Sequence, residues 1–231
     1  MPDLNFSIES AEPVAFAAAP SLAFKLRVDN ADPGEVVHTV ALRCQIQMEV
    51  TRRNYTPEEQ RRLNDLFGEP SRWSQTLRNR LWTNVSVMVP SFQSTCLTDL
   101  EVPCTFDFNV AATKYFHGLA TGDVPLCFMF SGTVFHAAES GALQAAPIPW
   151  NKETRYRLPV QVWKDMMDVY YPNTGWLSLR RDVFDRLQQY KTDHGIPAWE
   201  QLLERLLDEA KAAELRESTP SASKPRGFAA S

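Results

Sequence analysis

Glycine is scarce in this chain of 231 residues, 9 in all against 16 prolines. That leaves little material for loops that cradle phosphate through backbone N–H groups. The nearest cluster, Gly118-Leu119-Ala120-Thr121-Gly122, has no Lys-Ser or Lys-Thr after it and reads as a strand-connecting turn. No Walker motif, G-x-S-x-G elbow or H-E-x-x-H pair occurs. The four cysteines, Cys44, Cys96, Cys104 and Cys127, make no C-x-x-C. That density argues against a disulfide framework, and thiols inside apolar strand patterns read as core. No charge sign dominates, with 24 Lys and Arg against 28 Asp and Glu for a net of −4. Such a balance exerts no overall pull on nucleic acid or acidic membranes. Long apolar runs are also missing. Leu81–Thr98 is uncharged but rich in Ser, Thr, Asn and Gln, and the 15-residue stretch Val124–Ala138 is too short to span a bilayer. The start carries Asp3, Glu9 and Glu12 before its first lysine, Lys25, which is the wrong charge for a secretory signal. A cytoplasmic location is expected.

Hydrophobic residues make up 44% and charged residues 23%, an ordinary globular composition. A chain of this length buries roughly 70% of its unfolded surface. Alternation of period two dominates the first two-thirds. Leu4, Phe6 and Ile8 mark one strand, and Leu22, Phe24, Leu26 and Val28 a second. His38, Val40, Leu42, Cys44, Ile46, Met48 and Val50 share one face of a third. The turn residues Asp29-Asn30-Ala31-Asp32-Pro33-Gly34 predict a hairpin between the second and third. Val85, Val87 and Val89 mark another strand, stopped by Pro90. Leu100 through Val110 alternate throughout, and Leu126–Phe135 is apolar on both faces, as a covered central strand would be. Thr154 to Val160 supply the last strand.

A helical insertion breaks the series. Thr56-Pro57-Glu58-Glu59 is a capping box with proline at the first helical position. After Pro159 the period changes to 3.6, with three amphipathic stripes: Val162 to Tyr170, Leu179 to Tyr190, and Trp199 to Leu207. The pattern predicts an α+β protein: an antiparallel β-sandwich of about seven strands, a helical insertion at 56–80 and three C-terminal helices. The expected division is a sandwich over 1–160, a helical segment packed on it over 161–216, and a disordered tail over 217–231.

Two surfaces stand out as candidate partner sites. Arg52, Arg53, Arg61, Arg62, Arg72, Arg78 and Arg80 gather in or beside the insertion, interleaved with Tyr55 and Trp73. Arginine pairs with carboxylates in a fork and stacks on aromatic rings. Trp163, Tyr170, Tyr171, Trp176, Tyr190 and Trp199 recur along the C-terminal helices, and such residues favour interfaces. Each surface also has a plain structural reading, as a solvated face with internal pairs or as packing for the helices. His38, His117, His136 and His194 lack ligand spacing. A cluster of His136 with Cys104 and Cys127 is the only metal arrangement the strand positions suggest, and no cofactor is expected.

Several strings are familiar as a group: Leu42-Arg43-Cys44-Gln45-Ile46, Leu66-Phe67-Gly68-Glu69-Pro70-Ser71-Arg72-Trp73, Val102-Pro103-Cys104, Lys114-Tyr115-Phe116, Phe130-Ser131-Gly132-Thr133-Val134-Phe135 and Tyr171-Pro172-Asn173-Thr174-Gly175-Trp176. Over about residues 4 to 207 the chain resembles an uncharacterised, mainly actinobacterial family whose genes often lie near those of uptake [NiFe] hydrogenases. The resemblance implies a hydrogenase subunit or maturation factor as partner, and it carries no catalytic residue. The expected function is therefore a non-catalytic accessory protein acting through protein–protein contact. Its candidate contact residues are Arg52, Arg53, Arg61, Arg62, Trp73, Tyr171 and Trp176. The alternative is an enzyme or small-ligand binder with its pocket between the sandwich and the C-terminal helices, using Tyr115, His117 and Asp123. A homo-oligomer paired through the last helix is a third reading. Membrane and nucleic acid are not expected partners.

Overall fold

Alternating apolar residues build two antiparallel sheets. A computed structural model describes residues 2–32, 34–137, 141–175 and 177–217, and all that follows concerns these. They form eight strands and seven helices. The first sheet has strand order β1 (Leu4–Pro13), β2 (Ser21–Asn30), β5 (Thr95–Pro103). The second runs β4 (Arg80–Val89), β3 (Val37–Met48), β6 (Asp123–Ala137). Along the remaining edge of β6 lie β7 (Leu143–Pro147) and β8 (Glu153–Pro159), each pairing a different half. β6 is thus central, as its apolar residues on both faces predict.

Three strand expectations change. β2 and β3 do not form a hairpin, since they belong to different sheets. The turn chemistry at 29–34 is real, but buried Asn30 redirects it. Its Nδ2 donates to the carbonyls of Asp32 (2.7 Å), Glu35 (3.0 Å) and Gln93 (3.2 Å), which hands the chain from one sheet to the other. In β3 the register slips between Val37 and Thr39. The bulge turns Val37 inward and leaves His38 exposed, because one extra residue reverses the alternation. Third, the alternation from Leu100 to Val110 does not stay a strand. β5 stops at Pro103, which cannot continue the ladder. Asn109 then caps α4 (Val110–Gly118): its Oδ1 accepts from the Ala112 N–H at 2.9 Å, and its Nδ2 donates to the Trp82 carbonyl.

Aromatic rings join the sheets. Phe24 of β2 meets Phe128 of β6 at 5.2 Å, Trp82 of β4 at 6.0 Å and Tyr156 of β8 at 6.2 Å. Phe6 of β1 stacks on Phe130 of β6 at 4.3 Å. The series continues from Trp82 to Phe116 of α4, and Phe116 stacks on Trp163 at 5.0 Å. Trp163 belongs to α5 (Val160–Tyr170), which packs on β1, β2, β8 and α4. The insertion holds α1 (Pro57–Arg62), α2 (Asn64–Phe67) and α3 (Trp73–Thr76). Contacts divide the chain into a strand-rich unit over 1–175 and a second unit from 176 onward. The second contains α6 (Arg181–Asp193) and α7 (Trp199–Glu217). The tail expected to be disordered lies, beyond Glu217, outside the described residues.

Gly132 marks the tightest approach within the second sheet. Its φ is +139°, and a Cβ there would lie 2.0 Å from the Ala41 carbonyl oxygen of β3. No side chain fits without moving backbone. Gly132→Ala is expected to lose about 3 kcal/mol or more of stability. Urea denaturation measures it, and an unchanged midpoint would contradict this packing.

Candidate functional site

The insertion is tied down by a buried ion pair. The Thr56 capping box predicted from sequence is present in both directions, with the Thr56 hydroxyl accepting from the Glu59 N–H and Glu59 accepting from the Thr56 N–H. Glu59 does more than cap. Its side chain is 2% exposed and pairs with Arg53, itself 8% exposed, at 2.7 Å. The Arg53 guanidinium also donates to the carbonyls of Thr121 (2.5 Å) and Asp123 (2.6 Å), and Glu59 accepts from the Ala120 N–H (2.9 Å). The Gly118–Gly122 segment is therefore a connector between α4 and β6, gripped from outside by Arg53. Next to it the Tyr55 and Tyr115 hydroxyls lie 2.9 Å apart, and the Tyr55 hydroxyl lies 2.7 Å from the Val50 carbonyl. Burial pushes Tyr55 up to about 12 and Tyr115 further in the same direction, so neither phenol is poised as a base.

The predicted site residues separate on this geometry. Arg53 is a clamp inside the fold. Trp73 is buried as well, donating its Nε1–H to the Gly68 carbonyl and packing edge-on against Tyr55 and Phe67. Arg80 holds the Leu66 carbonyl and lies over the Phe67 ring. Arg61 and Arg62 remain on the exposed face of α1, where Arg62 pairs with Glu58. Arg52 is exposed and faces Glu49 at 3.4 Å. Tyr171, half-buried, ends α5 with its N–H on the Met167 carbonyl. Trp176 lies outside the described residues. The seven arginines thus do not form one patch.

The three residues of the alternative site each have a neighbour within the fold. Tyr115 is buried, His117 packs edge-on against Trp163, and Asp123 offers its backbone carbonyl to Arg53. Partial burial, followed by the Lys164 cation, lowers the His117 pKa. His136 faces Glu35 at 3.4 Å instead of the cysteines. Among the described residues no three His, Cys, Asp or Glu gather as a metal-holding group.

The second unit presents what the sequence reading named only as amphipathic faces. α6 buries none of its described residues, and in α7 only Leu202 is fully covered. Phe184 meets Trp199 at 5.3 Å, Lys191 lies over the Trp199 ring, and Arg205 lies over Tyr190. These contacts pair the two helices and leave an apolar groove of about 470 Å³, lined by Leu177, Leu179, Phe184, Leu187, Trp199 and Leu203 with Arg181. Leu177 is 65% exposed, Phe184 44% and Leu203 38%. The 3.6-residue stripes signalled Leu179, Phe184, Leu187, Trp199 and Leu203 but not Leu177, and a stripe does not say whether its cover comes from the same chain.

The chain belongs to a family of unknown function, DUF6084, whose model matches residues 1–215. No curated protein matches it. Among solved structures it is similar to the putative ApaA protein of Bordetella pertussis, at 14% identity and TM-score 0.26, over 68% of this chain and 95% of that one. It is also similar to a putative late embryogenesis abundant protein, at 12% identity and TM-score 0.31, over 69% and 73%. Among the described residues no helix is long and apolar enough to cross a membrane.

The ion pair sets a pH dependence. Burial raises the Glu59 pKa, but the N–H groups of Thr56 and Ala120 and the Arg53 guanidinium outweigh it and hold the carboxyl below its ordinary 4.5. A carboxyl whose folded pKa is lowered stabilises the fold above its ordinary value, and this stability is lost as pH falls through the lowered one. Glu59→Gln leaves Arg53 buried without its charge partner and is expected to cost about 3 kcal/mol at neutral pH. Its stability should also vary less than that of the wild type between neutral and acid pH. Equal urea midpoints for the two proteins at both pH values would contradict this role.

Proposed function

We propose that the protein is a non-catalytic interaction module whose working surface is the apolar groove of α6 and α7. One observation carries this reading: two amphipathic helices pair and yet leave Leu177, Phe184, Leu203 and Leu207 open to solvent. Two paired helices cover one side of each other, and a third apolar helix completes such an arrangement. The occupant is an amphipathic helix of a protein partner, seated by its apolar side chains as in helix-in-groove recognition. The groove volume suits a few such side chains rather than a polar substrate. The strand-rich unit serves as the scaffold, and the ring contacts between β2 and the second sheet favour reading its two sheets as the layers of a sandwich. The family resemblance directs the search for the partner to subunits and maturation factors of [NiFe] hydrogenase.

The test uses the full chain with Phe184→Asp and Leu203→Glu, both at exposed positions. Purified candidate partners are titrated against each variant. Binding by the wild type that weakens about a hundredfold in the variants supports the groove. Light scattering of the protein alone separates the other occupant. A dimer that both variants dissolve would replace the heterologous partner with a second copy, and partner binding indifferent to both variants would overturn the reading.

A further inference from the structure

A second concave surface lies on the strand-rich unit. It is a groove of about 290 Å³ beside the paired strands β6 and β8, lined by Glu49, Arg52, Pro125, Arg155, Tyr156 and Arg157 among others. Glu49 follows β3, and its backbone N–H bonds to the Pro125 carbonyl of β6. Its residue is 5% exposed. A buried carboxylate needs ionic partners, and Glu49 has two: Arg52 Nε at 3.4 Å from Oε1 and Arg155 Nε at 3.4 Å from Oε2. One carboxylate thus fixes two guanidiniums by their inner nitrogens. The outer nitrogens of Arg52 and one of Arg155 are left over, since Arg155 Nη2 is taken by Glu153 at 3.0 Å.

Arg157 lies two residues along β8, across from Pro125, and so points to the same side of the sheet as Arg155. It is exposed and has no ion-pair partner among the described residues. Three guanidiniums therefore meet the carboxylates of Glu49 and Glu153, which leaves a positive surplus in a groove whose other walls are proline, leucine and tyrosine. Like charges crowded beside apolar walls repel until an anion enters, and preorganised arginine forks are well matched to planar or tetrahedral oxyanions.

We propose that this groove binds an oxyanion group, phosphate or carboxylate, of a small ligand, with Arg52, Arg155 and Arg157 as its donors and Glu49 as the residue that positions two of them. Its size suits a compact anion more than an extended one. The site is independent of the α6–α7 groove, so the failure of one leaves the other standing.

Isothermal titration of the full chain at low ionic strength, in a buffer without oxyanions, tests it with pyrophosphate and separately with citrate. Saturable single-site binding of either probe is expected. Preference for pyrophosphate assigns a phosphate ligand, and preference for citrate a carboxylate. Arg157→Gln should weaken binding about tenfold. Arg52→Gln with Arg157→Gln should abolish it in a chain that circular dichroism shows still folded, and Arg157→Gln alone, whose side chain pairs with no carboxylate among the described residues, should leave the melting temperature unchanged. No saturable heat with either probe, or undiminished binding in the double variant, would overturn the proposal.

Discussion

One guanidinium, that of Arg53, is where separate parts of the strand-rich unit meet. It reaches from the end of the β3 segment to the capping glutamate of α1 and to two carbonyls of the loop that leads into β6. Lys164 of α5 holds a third carbonyl of that loop, at Ala120. Removing Arg53 would leave the buried Glu59 charge and the Thr121 and Asp123 carbonyls unpaired together, which is more costly than the pair's own net contribution. The geometry is also imperfect: Arg53 Nε is buried without a hydrogen-bond partner. Such a pair positions more than it stabilises. It fixes the insertion against α4, where Gly118 leaves room for the Leu63 side chain.

This arrangement separates charge that holds the fold from charge that is free to act. Arg53 and Arg80 are spent on carbonyls and rings, whereas Arg52, Arg155 and Arg157 share a groove with too little carboxylate to neutralise them. The aromatic residues divide in the same way. Trp163 is core, and the Tyr170 hydroxyl donates to the Ala17 carbonyl, so both anchor α5. Trp199 and Tyr190 instead organise the α6–α7 pair, whose Leu203 and Leu207 stay open.

Much of this was legible from residue order. Period-two runs located β1, β2, β3 and β4, a run apolar on both faces located β6, and the Thr56–Glu59 box located α1, because burial of side chains and satisfaction of helix-end N–H groups are local demands. What escaped was non-local. The alternation through Phe108 and Val110 looked like more strand, yet Pro103 and the Asn109 cap ended it, and both side chains stayed exposed. Asn30 looked like a hairpin residue, but its partner Gln93 is 63 positions away. Arg53 looked like a surface cation in a basic cluster, and nothing nearby in sequence revealed the carbonyls of Thr121 and Asp123. Glu49 read as one more residue on the polar face of the third strand, and the arginine that answers it, Arg155, is 106 residues distant.

The firmly packed strand-rich unit contrasts with a helical pair that leaves Leu177, Phe184, Leu203 and Leu207 exposed. Native-state hydrogen exchange of the isolated chain measures that contrast directly. The amides of β3 and β6 should open only with global unfolding, while those of α6 and α7 should exchange through openings of much lower free energy. Equal protection of α6, α7 and the central strands would mean that the helices are already covered in the free protein, and would contradict the account.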